Sequence, residues 1–101
     1  MPPAARPKAG KPDLIDALQT LKTRAEIEAF LADLLTPGEI KALSERWQVA
    51  RLLDGGAHSY REIAELAGSS TATVVRVARF LKDMPYRGYR RALDRLEGAK
   101  S

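Results

Sequence analysis

The stretch that decides the fold is Ser59–Asp83, SYREIAELAGSSTATVVRVARFLKD. Ser59 and Glu62 have the spacing of a capping box, in which each side chain satisfies a backbone donor of the other, and a short helix is predicted from there to Gly68. A second helix is predicted from about Ser70 to Lys82. Only a short turn separates them, so the two must meet at a sharp angle. Such a corner needs a small residue where the second helix crosses the first, and Ala64 supplies it. Four residues later it needs a positive φ that a Cβ would resist, and Gly68 stands there. Ile63, Ala67, Val74 and Val77 have the spacing to plug the second helix onto the first. These requirements are met in register, and they predict a helix-turn-helix over residues 59–82 rather than a plain helical hairpin.

The positions left over make chemical sense for a nucleic-acid reader. The second helix opens Ser70-Thr71-Ala72-Thr73, small residues that let its N-terminus approach base edges in a major groove. Threonine offers a hydroxyl and a methyl, the latter able to contact thymine. Free N–H groups at a helix N-terminus suit phosphate. Arg61 is placed to reach phosphate or a guanine edge, and Arg76 and Arg79 fall further along, toward the backbone-facing side. Each arginine alone reads equally well as a solvated surface residue; together with the motif they point to double-stranded DNA.

On either side of this stretch the chain also reads as helix. Asp13 can cap a helix carrying Leu14, Ile15, Leu18 and Leu21. Thr23 and Glu26 form a capping box before Ile27, Phe30, Leu31, Leu34 and Leu35. Thr36-Pro37-Gly38-Glu39 is a further box with proline at the first helical position, where its missing N–H costs nothing. A long helix then runs through Ile40, Leu43, Trp47, Ala50 and Leu53 to Gly55-Gly56. Met84-Pro85 breaks the chain, and Tyr86 to Leu96 can form a last helix. No stretch alternates with period two, so the fold class is all-α with about six helices. Residues 1–12 form a basic tail, rich in Pro, Ala, Gly and Lys, that is expected to be disordered, and residues 13–97 are expected to form a single helical domain.

Composition narrows the function. The 101 residues carry a net charge of +4. Arg6, Lys8 and Lys11 face no acid in the tail, the middle of the chain is acidic, and basic residues prevail again near the C-terminus. Such asymmetry suits a polyanion on one side of the molecule, although a merely soluble charged surface would share it. There is no cysteine and a single histidine, His58, so no zinc site of the usual ligand set is expected. No nucleophile–base pair is apparent, so no enzyme and no cofactor are expected; His58 reads as loop filler or cap support. No apolar run approaches the roughly 20 residues of a membrane span, and the N-terminus lacks the apolar core of a signal peptide. A soluble cytoplasmic protein, associated with the nucleoid and not with a membrane, is expected. Trp47 is expected in core or dimer packing rather than ligand stacking. Tyr86 and Tyr89, with Arg87, Arg90 and Arg91, have two readings: a nucleic-acid lining, or anchors of the last helix beside a solvated arginine face.

From Leu35 to Pro85 the chain resembles the tryptophan repressor family. Leu35-Thr36-Pro37-Gly38-Glu39-Ile40-Lys41-Ala42-Leu43 and Ser70-Thr71-Ala72-Thr73-Val74-Val75-Arg76 carry the likeness. Glu45-Arg46-Trp47-Gln48-Val49-Ala50 and Gly88-Tyr89-Arg90-Arg91-Ala92-Leu93-Asp94-Arg95-Leu96 extend it, over residues 14–96, to the YerC/YecD type of related proteins. The resemblance implies an intertwined homodimer whose N-terminal and long helices wrap those of the partner. Two amphipathic helices and a long one also carry more apolar face than one small reader head can cover. Two-fold readers would enter grooves about 34–36 Å apart, implying a roughly palindromic operator. The resemblance further implies DNA contacts at Tyr60, Arg61, Ser70, Thr71, Ala72 and Thr73, and a ligand pocket on Thr36, Arg46 and Arg76. That pocket reads as vestigial: Val77 stands where the family leaves space for an indole, and Phe80 where it has a polar contact. Arg46 is then expected to pair with Glu45, Glu39 or another acid, or to hold a different small anion. The function expected is a sequence-specific transcriptional repressor that tryptophan does not gate. The rival is a helical protein-interaction module in a phage or transposition complex.

Overall fold

The computed structural model describes residues 11–100, and of the basic tail only Lys11 and Pro12 lie within it, both exposed; the rest of the expected tail lies outside the described residues. Six helices and no strand are present among those residues: α1 (Leu14–Gln19), α2 (Arg24–Leu34), α3 (Pro37–Gly55), α4 (Tyr60–Ala67), α5 (Thr71–Lys82) and α6 (Gly88–Lys100). The all-α reading is borne out. The chain divides into two compact units, the first ending at Ile40 and the second beginning at Lys41.

The first unit holds α1, α2 and the opening turn of α3, and its order is set by caps. Asp16 N–H donates to Asp13 Oδ1 at 2.9 Å while Asp13 N–H donates to Asp16 Oδ2 at 2.8 Å, a box of which only the Asp13 half was expected. The Asp16 N–H is the main reason the Asp13 carboxyl sits below its usual pKa. Glu26 N–H donates to Thr23 Oγ1, but the Glu26 carboxylate accepts from Lys22 N–H at 2.7 Å rather than from Thr23. The second half of that expected box therefore moves one residue upstream, still satisfying one free donor. Leu35, expected on the α2 face, lies outside the helix in extended backbone with ψ 149°. Thr36 and Glu39 form the expected box at α3, with N···O distances of 2.9 and 3.1 Å. Neither α1 nor α2 has a buried residue.

The buried core lies in the second unit. Val49 and Ala50 of α3, Ile63 and Ala64 of α4, and Val74 and Val77 of α5 form one cluster, flanked by Trp47, Leu52, Leu53, Ala67 and Tyr89. Full burial of an aliphatic side chain contributes about 1.5–3 kcal/mol, so these few residues carry most of the unit's cohesion. The last helix begins at Gly88 instead of Tyr86, because Arg87 stands at φ 60° and no right-handed helix passes through that conformation. Arg90 Nη1 reaches Asp54 Oδ1 at 2.9 Å and Arg90 Nη2 reaches Asp94 Oδ1 at 2.9 Å. The bond to Asp54, then that to Asp94, holds the guanidinium above its ordinary pKa and fastens α6 to the end of α3.

Candidate nucleic-acid interface

α4 starts where the box predicted: Glu62 N–H donates to Ser59 Oγ at 3.2 Å and Ser59 N–H to Glu62 Oε1 at 2.8 Å. It stops at Gly68, which takes φ 68° and ψ 33°, the left-handed conformation. Gly68 N–H donates to Glu65 O and Ser69 N–H to Ala64 O at 2.8 Å, closing the last carbonyls of α4 before the chain turns into α5. Ile63 and Ala64 on one helix and Val74, Val77 and Ala78 on the other are buried, so the corner is held by its apolar faces. Of the residues named as readers, all but the half-buried Thr73 lie on the exposed side of these helices.

Ser70, Thr71 and Ala72 are exposed at the start of α5, and Thr73 is half-buried. Ser70 caps the helix by accepting from Thr73 N–H at 3.1 Å, and its hydroxyl donates to Thr73 Oγ1 at 3.1 Å. Two of these four small residues, Ser70 and Thr73, thus spend their hydroxyls on each other. Thr71 and Ala72 are left as the unencumbered edge. No acid occupies the first turn of α5, while Arg79 and Lys82 lie in its last turn. An anion approaching the N-terminal end meets free N–H groups and no repelling carboxylate. Tyr60, Arg61, Arg76 and Arg79 are all exposed.

Of the residues assigned by resemblance to a ligand pocket, Thr36 and Arg76 have partners within the chain. The Thr36 hydroxyl caps α3. Val77 is only 1% exposed and belongs to the core cluster. The Arg76 guanidinium lies over the Phe80 ring, 4.6 Å from its centroid. Arg46 is half-buried, and Glu45, one of the acids expected to pair with it, pairs with Lys41 one turn earlier. An open groove on α3 and α6 is lined by Trp47, Arg51, Asp54, Gly55, Leu93, Leu96 and Glu97, with neither Arg46 nor Arg76 among them.

The remaining candidates divide. His58 Nδ1 stands 3.7 Å from Glu62 Oε1, beside the α4 cap it was read as supporting. Trp47 packs at the core edge against Tyr89, ring centroids 6.5 Å apart, so Tyr89 anchors α6. Tyr86 is exposed and faces Phe80. Arg90, grouped with the solvated arginines, is instead the clamp to Asp54; the partners are 36 positions apart, and no local pattern joins them. Among the described residues no cluster of three potential metal ligands occurs, and no helix is long and apolar enough to cross a membrane.

The geometry agrees with what the chain is similar to. The Trp repressor protein family matches residues 12–97. The protein YerC of Bacillus subtilis is 39% identical over 84 residues, covering 83% of this chain and 79% of that protein. A Trp operon repressor homologue of Photobacterium profundum is 35% identical over 69 residues, 68% of this chain and 67% of its own. The crystal structure of a TrpR-like protein from Eubacterium eligens superposes with a TM-score of 0.77 at 40% identity, covering 83% of this chain and 84% of that one. On fold, sequence and the helix-turn-helix alike, the chain belongs to the Trp repressor family.

Proposed function

We propose that this protein is a homodimeric transcriptional repressor that binds a roughly palindromic operator in the cytoplasm, at the nucleoid, without tryptophan as its gate. Membership of a regulatory, non-enzymatic family points to a DNA-binding regulator. The observation that carries the finer reading is the α5 edge: Thr71 and Ala72 stand exposed on a helix whose opposite face is locked into the core by Val74 and Val77. Phosphate contacts from Arg61, Arg76 and Arg79 supply affinity, and the Ser70–Thr73 edge supplies base choice.

Dimerisation is supported by Leu14, Ile15, Ile27, Leu34 and Leu43, large apolar side chains left exposed in the single chain. A second copy covers them and sets two readers about one DNA turn apart. Independence from tryptophan is supported by the space Val77 fills and by Arg76 lying over Phe80.

Genome-wide footprinting of the wild-type protein and of Thr71→Arg and Arg61→Ala tests the reading. Thr71→Arg is expected to change the preferred sequence, and Arg61→Ala to weaken binding at every site. Unaltered occupancy in both variants would leave the protein-interaction alternative standing. Titration calorimetry with L-tryptophan is expected to show no micromolar binding.

A further inference from the structure

Val75 is the large apolar side chain of α5 that the fold does not use. Val74 and Val77 are buried, Phe80 and Leu81 are half-buried, and Val75 stays 56% exposed. The neighbouring Arg76 guanidinium lies over Phe80. A valine facing water does nothing for the helix either, since its branched Cβ lowers helix propensity below that of alanine, leucine or arginine. Neither the core nor the helix accounts for this side chain at this position.

Its place on the helix is informative. Ala72, Val75 and Arg79 follow one another at intervals of three and four residues, a spacing that puts them on one face, and all three are exposed. Thr71, also exposed, lies one turn before Val75 on the same side. Val75 thus continues the Thr71–Ala72 edge toward Arg79, and no acidic side chain occurs along α5. A row of methyl groups that runs into a cation complements a DNA major groove. Phosphates border that groove, and one base alone presents an apolar group in it, the 5-methyl of thymine. The valine side chain is short and holds one preferred rotamer in a helix, so little freedom is lost when it is pressed on a base.

We propose that Val75 is a specificity-determining residue that packs against the 5-methyl group of a thymine in the major groove, at a base pair beside those met by Thr71 and Ala72. The inference rests on the DNA reading above and gives it a chemical preference. Thr71 can exchange hydrogen bonds with a base edge. Val75 can exchange none, so it discriminates by shape and apolar contact alone, and its choice of thymine depends on the methyl.

Duplexes bound by the full chain are selected from random sequence. Each thymine of the selected site is then replaced in turn by deoxyuridine, which removes the methyl and keeps the hydrogen-bonding edge. Binding of wild type and of Val75→Ala is measured by fluorescence anisotropy at fixed salt. Wild type is expected to bind about fourfold more weakly when one such methyl in a half-site is removed. Val75→Ala is expected to bind the thymine site about fourfold more weakly than wild type and to be indifferent to deoxyuridine at that position. Because the side chain is exposed, the variant is expected to melt and to sediment as wild type does. Retained discrimination in Val75→Ala, the lack of any methyl-sensitive thymine, or altered sedimentation that assigns Val75 to a contact between copies would each overturn the proposal. Failure to select any sequence would remove the DNA reading itself and this inference with it, so the two failures are distinguishable.

Discussion

Gly68 and Arg87 occupy the same region of backbone space, at φ 68° and 60°, and the comparison shows what each turn demands. At Gly68 no heavy atom lies within 4 Å of where a Cβ would stand, so space does not require glycine; only the dihedral does. Gly68→Ala is accordingly expected to destabilise the second unit by about 1–2 kcal/mol, read as a lowered midpoint in urea with an unchanged slope. Gly68 was legible in the sequence because glycine at that offset, between two apolar-patterned helices, has one reading. Arg87 was not, because an arginine carries no mark of a left-handed backbone, and the start of α6 was accordingly placed two residues early. Val77 was legible as a core position, and the structure confirms its burial. The Ser70–Thr73 hydroxyl pair was hidden, since both residues suit a DNA edge and a helix cap equally.

At the scale of the element, caps determine where each helix starts, and they are local enough to read directly. The boxes at Thr36 and Ser59 appear as the spacing implies. The box at Thr23 is shifted because the Glu26 carboxylate reaches past the cap to Lys22 N–H. Leu35 leaves α2 as its C-cap, its backbone already extended two residues before Pro37 opens the next helix. The α4 cap carries a pH signature. The Ser59 N–H bond, reinforced by His58, holds the Glu62 carboxyl below its ordinary pKa of 4.5. A depressed carboxylate contributes stability that is complete above its unfolded pKa and disappears as pH falls through the folded value. Thermal melts of wild type are therefore expected to lose stability below about pH 4.5, and Glu62→Gln to lack that part of the loss. The Arg90–Asp54 clamp belongs to the same scale but not to the same legibility, because it joins two elements distant in the chain.

For the molecule as a whole, the two units differ in what holds them. The second has a core shared by three helices; the first has capped helices and no buried side chain among its described residues. The amphipathic pattern of α1 and α2 could be read from the sequence, but not the surface that covers it, since neither helix buries a residue. If a second copy supplies it, Ile15→Glu combined with Leu34→Glu, both at exposed apolar positions, is expected to shift the protein to monomer in sedimentation. Far-UV circular dichroism should show helix lost from α1 and α2 while the α4–α5 corner keeps its fold. A variant still dimeric would place the interface elsewhere.

The bare faces of α1 and α2 also link folding to abundance. Helices of six and eleven residues are too short to persist in water by propensity alone, so on the proposed homodimer their order depends on association, and association on protein concentration. On the homodimer reading, the melting temperature rises with the amount of protein, and a scarce chain loses its N-terminal helices along with its partner. Operator occupancy then varies more steeply than linearly with expression, because each reader pair requires two chains to find and fold one another. On the same reading, a repressor built this way responds to a threshold: below it the dimer does not assemble, and above it the promoter closes over a narrow range of dose.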